Sequence, residues 1–428
     1  MNILKNKLYV NVFKLLLVSV LMSSCGTTYQ LKNDLKKHND SSSFFKGFVL
    51  FDPVANKQIV NHNGAKYFTP ASNTKLYTFY AAYRTFKDSV KSLAYYKSQD
   101  SLIIKGTADP SLLYGFESSK VLDFLKNEKD SIYLIDTKID NPPLGDGWSW
   151  DDYPYYYQPE KSIFPIYGNI LQYKWESGAV KSYPTLLKSY IKALDSIPLR
   201  REVSSNQFYI ENNSKRNYTV PFIVSNKLVA ELLSDTIQKN VTLIPPKPNH
   251  QFNYIYGQRY DSLYKQMLHV SDNFIAEQLM LQVAKEVSGK FDTKVGIKYA
   301  MENYMQDLPH KFKWRDGSGL SVYNKFTPEN TVKLLEKMYR EIPTDQLLSY
   351  FAVGGKSGTI KNWYANNGTP FVYAKTGTLN SVHCLSGYII TKKGKLLIFS
   401  YMNNHYPGSS SEVKKEMEEA LLKIYNAY

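Results

Sequence analysis

Thr69-Pro70-Ala71-Ser72-Asn73-Thr74-Lys75-Leu76 is the stretch whose reading decides the fold. An apolar and aromatic run follows it: Leu76, Tyr77, Phe79, Tyr80, Ala81 and Ala82. Proline is tolerated at or before a first helical turn, and the run behind it holds good helix formers, so a helix is predicted to start near Ala71. Residues three apart share a helix face, which turns Ser72 and Lys75 the same way from the first turn. Free N–H groups there favour negative charge. The geometry suits a serine nucleophile with an amine as its base. The spelling alone decides nothing, because Ser43–Lys46, Ser189–Lys192, Ser262–Lys265 and Ser411–Lys414 repeat it.

Working outward, residues 44–64 read as a hairpin: apolar Phe44–Phe51, a turn at Asp52-Pro53-Val54-Ala55-Asn56, and a return through Gln58–Asn61. From about 92 to 255 the texture changes to short strand-like runs such as Ser101–Lys105, Ser131–Ile135 and Phe208–Ile210. This is predicted to be an inserted, mostly β domain. Its Trp148, Trp150, Tyr153 and Tyr155–Tyr157 serve either packing or stacking on sugar rings. Helical patterning returns after Tyr260, and Phe274–Val287 carries Ile275, Leu279, Val283 and Val287 at steps of four. Thr327-Pro328-Glu329 opens another helix as cap, proline and acid. Phe371–Ala374, His383–Thr391 and Leu396–Met402 read as strands, and an amphipathic helix starts near Glu412. Hairpin, helices, hairpin and terminal helix describe an α+β domain, an antiparallel sheet flanked by helices, made of 44–91 and 256–428.

The amino terminus has Lys5, Lys7 and Lys14, then an apolar core from Leu15 to Met22, then Ser23-Ser24-Cys25-Gly26. This is a secretory signal over 1–24. The apolar core is shorter than the ~20 residues that span a bilayer. A cysteine after the small pair resembles a bacterial lipoprotein signal, with Cys25 as the lipidated residue; the alternative is an ordinary signal peptide. Residues 25–43 then form a polar tether, and lipid chains would hold an exported protein on a membrane surface in the periplasm or cell envelope. Cys384 is the second of two cysteines, so a lipidated Cys25 leaves no intrachain disulfide. Net charge is +15, or +12 once the three signal lysines are removed (15 − 3). Such a surface favours anionic lipid or cell-wall polymer, and export with no nucleic-acid motif argues against nucleic acid. The seven histidines lack ligand spacing, so neither a metal nor another cofactor is expected.

Three elements occur in order: Ser72-x-x-Lys75, Ser271-Asp272-Asn273 and Lys375-Thr376-Gly377-Thr378. Serine needs a base within hydrogen-bond reach, and Lys75 serves only if neutral, against a reference pKa of ~10.4. Desolvation and a second cation, Lys375, both push it there. Ser271 is placed to relay a proton to a leaving amine, and Asn273 to hold a substrate amide. Lys375, Thr376 and Thr378 offer a carboxylate cationic and hydroxyl donors, while Gly377 lets backbone approach. The N–H groups of Ser72 and Thr378 would form an oxyanion hole, each such donor being worth ~3–4 kcal/mol. Lys356-Ser357-Gly358-Thr359 nearly repeats the third motif, but Gly354-Gly355 before it marks a turn, not a strand.

The ordered trio is that of penicillin-binding proteins and serine β-lactamases. Asp109-Pro110 after Gly106, Gly145-Asp-Gly-Trp148-Ser-Trp150-Asp-Asp152, Asp316-Gly-Ser-Gly-Leu320 and Gly358-Thr359 extend the likeness over 44–428. The chain resembles a class C low-molecular-mass penicillin-binding protein, a serine D-Ala-D-Ala carboxypeptidase/endopeptidase. It departs in Gly106-Thr-Ala-Asp109, which is poorer in glycine, and in a span of 199 positions (271 − 72) between its first two motifs, less than larger members have. The resemblance implies hydrolysis of peptidoglycan stem peptides through an acyl-Ser72 intermediate, β-lactam antibiotics as covalent inhibitors, and Asp151 or Asp152 meeting the ammonium of the stem's diamino acid. A serine β-lactamase and a non-catalytic peptidoglycan-binding lipoprotein are the rival readings. The first lacks an E-x-x-L-N loop, and the second needs no nucleophile–base pair.

Overall fold

The computed structural model describes Tyr29, Asn33 and residues 44–116, 119–246 and 250–428. The signal segment and Cys25 lie outside the described residues, as does the 25–43 tether apart from Tyr29 and Asn33. Six strands form the main sheet, in the spatial order Ala352–Val353, Val372–Leu379, Val382–Ile390, Leu396–Asn404, Phe45–Asp52 and Lys57–His62. Every neighbouring pair is antiparallel. The first hairpin turns where Asp52 Oδ1 accepts from the backbone N–H groups of Val54 and Ala55, an Asx turn.

Strand alternation gives the sheet two apolar faces. On one, Phe48, Leu50, Leu385, Phe399 and Tyr401 meet Val413, Met417, Leu421 and Ile424 of the Ser410–Ala427 helix. On the other, Val49, Tyr388 and Ile398 meet a helical layer. That layer contains helices Thr74–Thr85, Tyr260–His269, Asn273–Ser288 and Pro328–Glu341. Thr327 caps the last, its hydroxyl accepting from Asn330 N–H. The Thr74–Thr85 helix is central to the layer: every residue from Thr74 to Ala82 is buried. A helix enclosed on all sides holds its first turn rigidly; Lys75 sits there, and Ser72 lies two residues before the helix begins.

The inserted unit is built on a five-stranded sheet in the order Val241–Ile244, Ser131–Ile135, Ser101–Lys105, Ser89–Ser98 and Asn253–Arg259. Its hydrogen-bonded strands begin at Ser89 and end at Arg259, slightly outside the 92–255 read from texture. Two of its pairings are parallel, which requires crossovers, and helices Lys120–Asn127 and Asn226–Ile237 lie in those connections. A three-stranded antiparallel sheet, Asn217–Pro221, Ile170–Glu176 and Ala179–Tyr183, completes its core with Leu171, Phe208, Val220 and Leu232. Two glutamines on the Asn273–Ser288 helix fasten the unit to the peptidase layers. Gln278 Nε2 donates to the carbonyls of Ala108 and Ser162, and Gln282 Nε2 donates to Ala108.

Candidate active site

Pro70 precedes a single 3₁₀ turn, Ala71–Asn73, and the α-helix begins at Thr74. The helix start predicted at Ala71 is therefore a tighter turn with Ala71 at φ +47°, which brings Ser72 to the mouth of a cleft of about 1270 Å³. The cleft is lined by Ser72, Ser271, Asn273, Thr376 and Thr378, with Asp151, Asp152 and Tyr156 on its rim. All three motifs meet here.

Lys75 is fully buried, and its Nζ has three neighbours: Ser72 Oγ at 2.8 Å, Asn273 Oδ1 at 2.5 Å and the Ser318 carbonyl at 2.6 Å. Burial brings its pKa down to about 7, against the opposing pull of Asp316, Asp272 and Glu277. Desolvation is thus the largest cause of the shift, and the repulsion between the two lysines expected from the sequence is felt at Lys375. Lys375 is itself fully buried and held well below the ordinary lysine range, first by burial and then by Lys75. Its Nζ donates to Ser271 Oγ at 2.8 Å and to the Thr376 carbonyl at 2.6 Å. The Ser271 hydroxyl accordingly meets Lys375, not Lys75, and Ser271 adopts φ +65° in doing so.

Asn273 lines the cleft and also has partners inside the protein. Both ends of its amide are engaged inside the protein, Oδ1 by Lys75 and Nδ2 by the Tyr157 carbonyl at 2.8 Å. It ties the base to the loop that carries Asp151 and Asp152. On that loop Tyr157 donates its hydroxyl proton to Asp152 Oδ1 at 2.9 Å. Asp272 between the two motif residues caps the helix, accepting from Ile275 N–H and from the Tyr114 hydroxyl. Burial raises the Asp272 carboxyl.

The third-motif strand abuts the nucleophile's turn. A Cβ on Gly377 would lie 2.5 Å from the Pro70 carbonyl oxygen and 3.0 Å from the Ser72 nitrogen, so only glycine allows the approach. Asn73 clamps the same junction: Nδ2 donates to the Lys375 carbonyl, and Oδ1 accepts from Ser386 Oγ. The Lys356–Thr359 near-repeat forms a 3₁₀ turn at Gly358–Ile360, and Thr376 Oγ1 donates to Thr359 Oγ1 at 2.8 Å beside the cleft.

Behind the cleft, which Gly319 lines, the buried Asp316-Gly-Ser stretch supports the site. Asp316 accepts from Trp148 Nε1, the backbone of Gly319 and Ser321, and Asn324 Nδ2. Glu277 Oε1 accepts from Ser318 N–H at 2.7 Å, which aims the Ser318 carbonyl at Lys75. Gly319, at φ +87°, passes so close to the Ala71 carbonyl that a Cβ would sit 2.0 Å from it. Asn73 and Glu277 are the positions that the motif reading missed, and Thr359, read there as part of a turn, joins the site. For Glu277 the sequence did hold a signal, an acid and two glutamines inside the apolar run 274–284.

A serine within hydrogen-bond reach of a desolvated lysine, in a cleft between a helical layer and an antiparallel sheet, is the arrangement that serine acyl transfer requires. Residues 30–187 and 247–427 match the D-Ala-D-Ala carboxypeptidase 3 (S13) family, and the chain belongs to this family of serine-type hydrolases. It is similar to the penicillin-sensitive carboxypeptidase A of Dictyostelium discoideum, 24% identical over 438 residues, which are 86% of this chain and 83% of the relative. The D-alanyl-D-alanine carboxypeptidase DacB of Haemophilus influenzae is 24% identical over 420 residues, 86% of this chain and 87% of that one. The crystal structure of penicillin binding protein 4 from Haemophilus influenzae shares the fold at a TM-score of 0.70 and 19% identity, over 90% of this chain and 97% of that one.

Proposed function

We propose that the protein cleaves the D-Ala-D-Ala bond of peptidoglycan stem peptides through an acyl-Ser72 ester, with Lys75 as the base. The observation that carries this reading is the set of partners around Lys75 Nζ. A neutral amine has two protons and one lone pair, and Lys75 faces two groups that only accept, Asn273 Oδ1 and the Ser318 carbonyl, and one hydroxyl that can donate. Its lone pair therefore points at the Ser72 proton.

Ser72 Oγ attacks the penultimate D-Ala carbonyl as its proton passes to Lys75. The N–H groups of Ser72 and Thr378 receive the oxyanion. The C–N bond then breaks, and the departing amine takes a proton from Ser271, which Lys375 replenishes; the proton that Lys75 took from Ser72 passes to Lys375, so Lys75 is a free amine again. Lys75 then takes a proton from an entering water as the water oxygen attacks the ester carbonyl, and passes it to Ser72 Oγ as the ester C–O bond breaks, releasing Ser72 and the shortened peptide. Lys375, Thr376 and Thr378 hold the substrate's C-terminal carboxylate, and that anion restores the charge on Lys375 against burial. Asp152, with Asp151 beside it on the rim, receives the ammonium of the stem's diamino acid. A stem leaving group in place of free D-Ala makes the same chemistry an endopeptidase reaction. A signal ending at Ser24 and lipid on Cys25 would hold the enzyme at a membrane surface in the cell envelope.

Labelling with a fluorescent penicillin tests the assignment. Wild type is expected to label stably and Ser72→Ala not at all; a labelled Ser72→Ala would overturn it.

A further inference from the structure

The third-motif strand exposes Thr378 to the cleft, while the residue opposite it in the sheet, His383, is 1% exposed. Thr378 Oγ1 and His383 Nδ1 are 2.9 Å apart. His383 Nε2 is buried and has no hydrogen-bond partner among the described residues. We propose that His383 is a positioning residue, donating from Nδ1–H to Thr378 Oγ1 so that the threonine's own proton points into the cleft for the substrate's C-terminal carboxylate.

The tautomer follows from the two ring nitrogens. Were the proton on Nε2, a buried N–H would be orphaned, and Nδ1 would accept the Thr378 proton. The hydroxyl would then show the cleft only lone pairs, which repel a carboxylate. With the proton on Nδ1 the orphan is a bare lone pair, a lesser defect than an orphaned N–H. Thr378 becomes a donor directed outward, and a donor to an anion makes one of the stronger hydrogen bonds available. Burial, with Lys414 and Lys375 adding to it, holds the ring's pKa down to about 3, so the imidazole is neutral throughout the working range. A single tautomer then fixes the direction of the Thr378 hydroxyl.

This inference rests on the carboxylate reading of Thr378, and a double-mutant cycle separates the two. The readout is kcat and KM of the full chain on an acyl-D-Ala-D-Ala peptide, for His383→Phe, Thr378→Val and the pair. His383→Leu stands in should the larger ring not fold. His383→Phe is expected to raise KM about tenfold with a smaller change in kcat. Thr378→Val should do the same, and the double variant no more than either. His383→Asn, which keeps an N–H near the Nδ1 position, should recover most of the loss. Additive effects, or an apolar variant with wild-type KM, would overturn the role of His383. A Thr378→Val enzyme with unchanged KM would overturn the carboxylate reading as well.

Discussion

The floor and the rim of one cleft treat charge in opposite ways. On the floor, Lys75 and Lys375 are both 0% exposed, and burial strips the lysines of the water that would keep them charged. On the rim, Tyr156 is 62% exposed, and Asp151 faces solvent. A charge on the floor is a matter of pKa and hence of reactivity. On the rim it stays hydrated, and its pairing with a substrate is worth little more than a surface ion pair. Asn273 joins the two, gripping Lys75 with one end of its amide and the Tyr157 carbonyl with the other. On the proposed reading, the chemistry and the grip on the substrate carboxylate belong to the floor, and the meeting with the stem's ammonium to the rim.

That division is most directly broken at the base. Lys75→Met removes the proton acceptor from an otherwise intact pocket, and the penicillin acylation rate is expected to fall about 10³-fold or more. A fall of only a few-fold would remove Lys75 from the base role. Gly377→Ala tests how closely floor and strand must meet. Its Cβ would force the strand from the Pro70 carbonyl, and a misplacement of that kind costs about 10²-fold in acylation. Normal acylation in this variant would show that the junction tolerates movement.

Asp316→Asn keeps the side chain's shape but puts an amide where several N–H donors converge. It should cost about 2–3 kcal/mol, read as a lower thermal midpoint, and slow acylation as Ser318 loosens its hold on Lys75. The pH profile sharpens the floor's side of the contrast. Because Lys75 acts as its free amine and titrates at about 7, kcat/KM should rise about tenfold per pH unit below 7 and level off above it. A profile still climbing at pH 9 would mean an ordinary, hydrated lysine. Asp152→Asn belongs at the small end. A rim carboxylate should change KM for a diamino-acid stem by about three- to fivefold and leave penicillin acylation alone. A large loss of acylation would move Asp152 to the floor.

Much of this was legible in the residues. The apolar run after Lys75, the steps of four in 274–287 and the Thr-Pro-Glu cap at 327–329 each gave their helix, because periodicity records which face is buried. The Lys375–Thr378 strand was distinguished from its near-repeat at Lys356 by its neighbours: an apolar run before and a hairpin after. The inserted unit was harder to read. Its parallel pairs join strands far apart in sequence, and short apolar runs do not announce their partners.

The sequence by itself determined the reactive set: a serine with a lysine three residues on, a serine and asparagine at a helix start, and a lysine, hydroxyls and a glycine on a strand. Those are choices of functional group and local spacing, written residue by residue. Only the tertiary structure decided what each group does. It shows Lys75 shifted chiefly by burial, Ser271 bonded to Lys375, and Asn273 bridging Lys75 and the Tyr157 carbonyl. It also recruits Glu277, Asn73 and His383, which no motif marks. A pKa and a hydrogen-bond direction depend on which atoms exclude water and which face one another. Here those atoms come from segments as far apart as Ser72 and Lys375, and only folding brings them together.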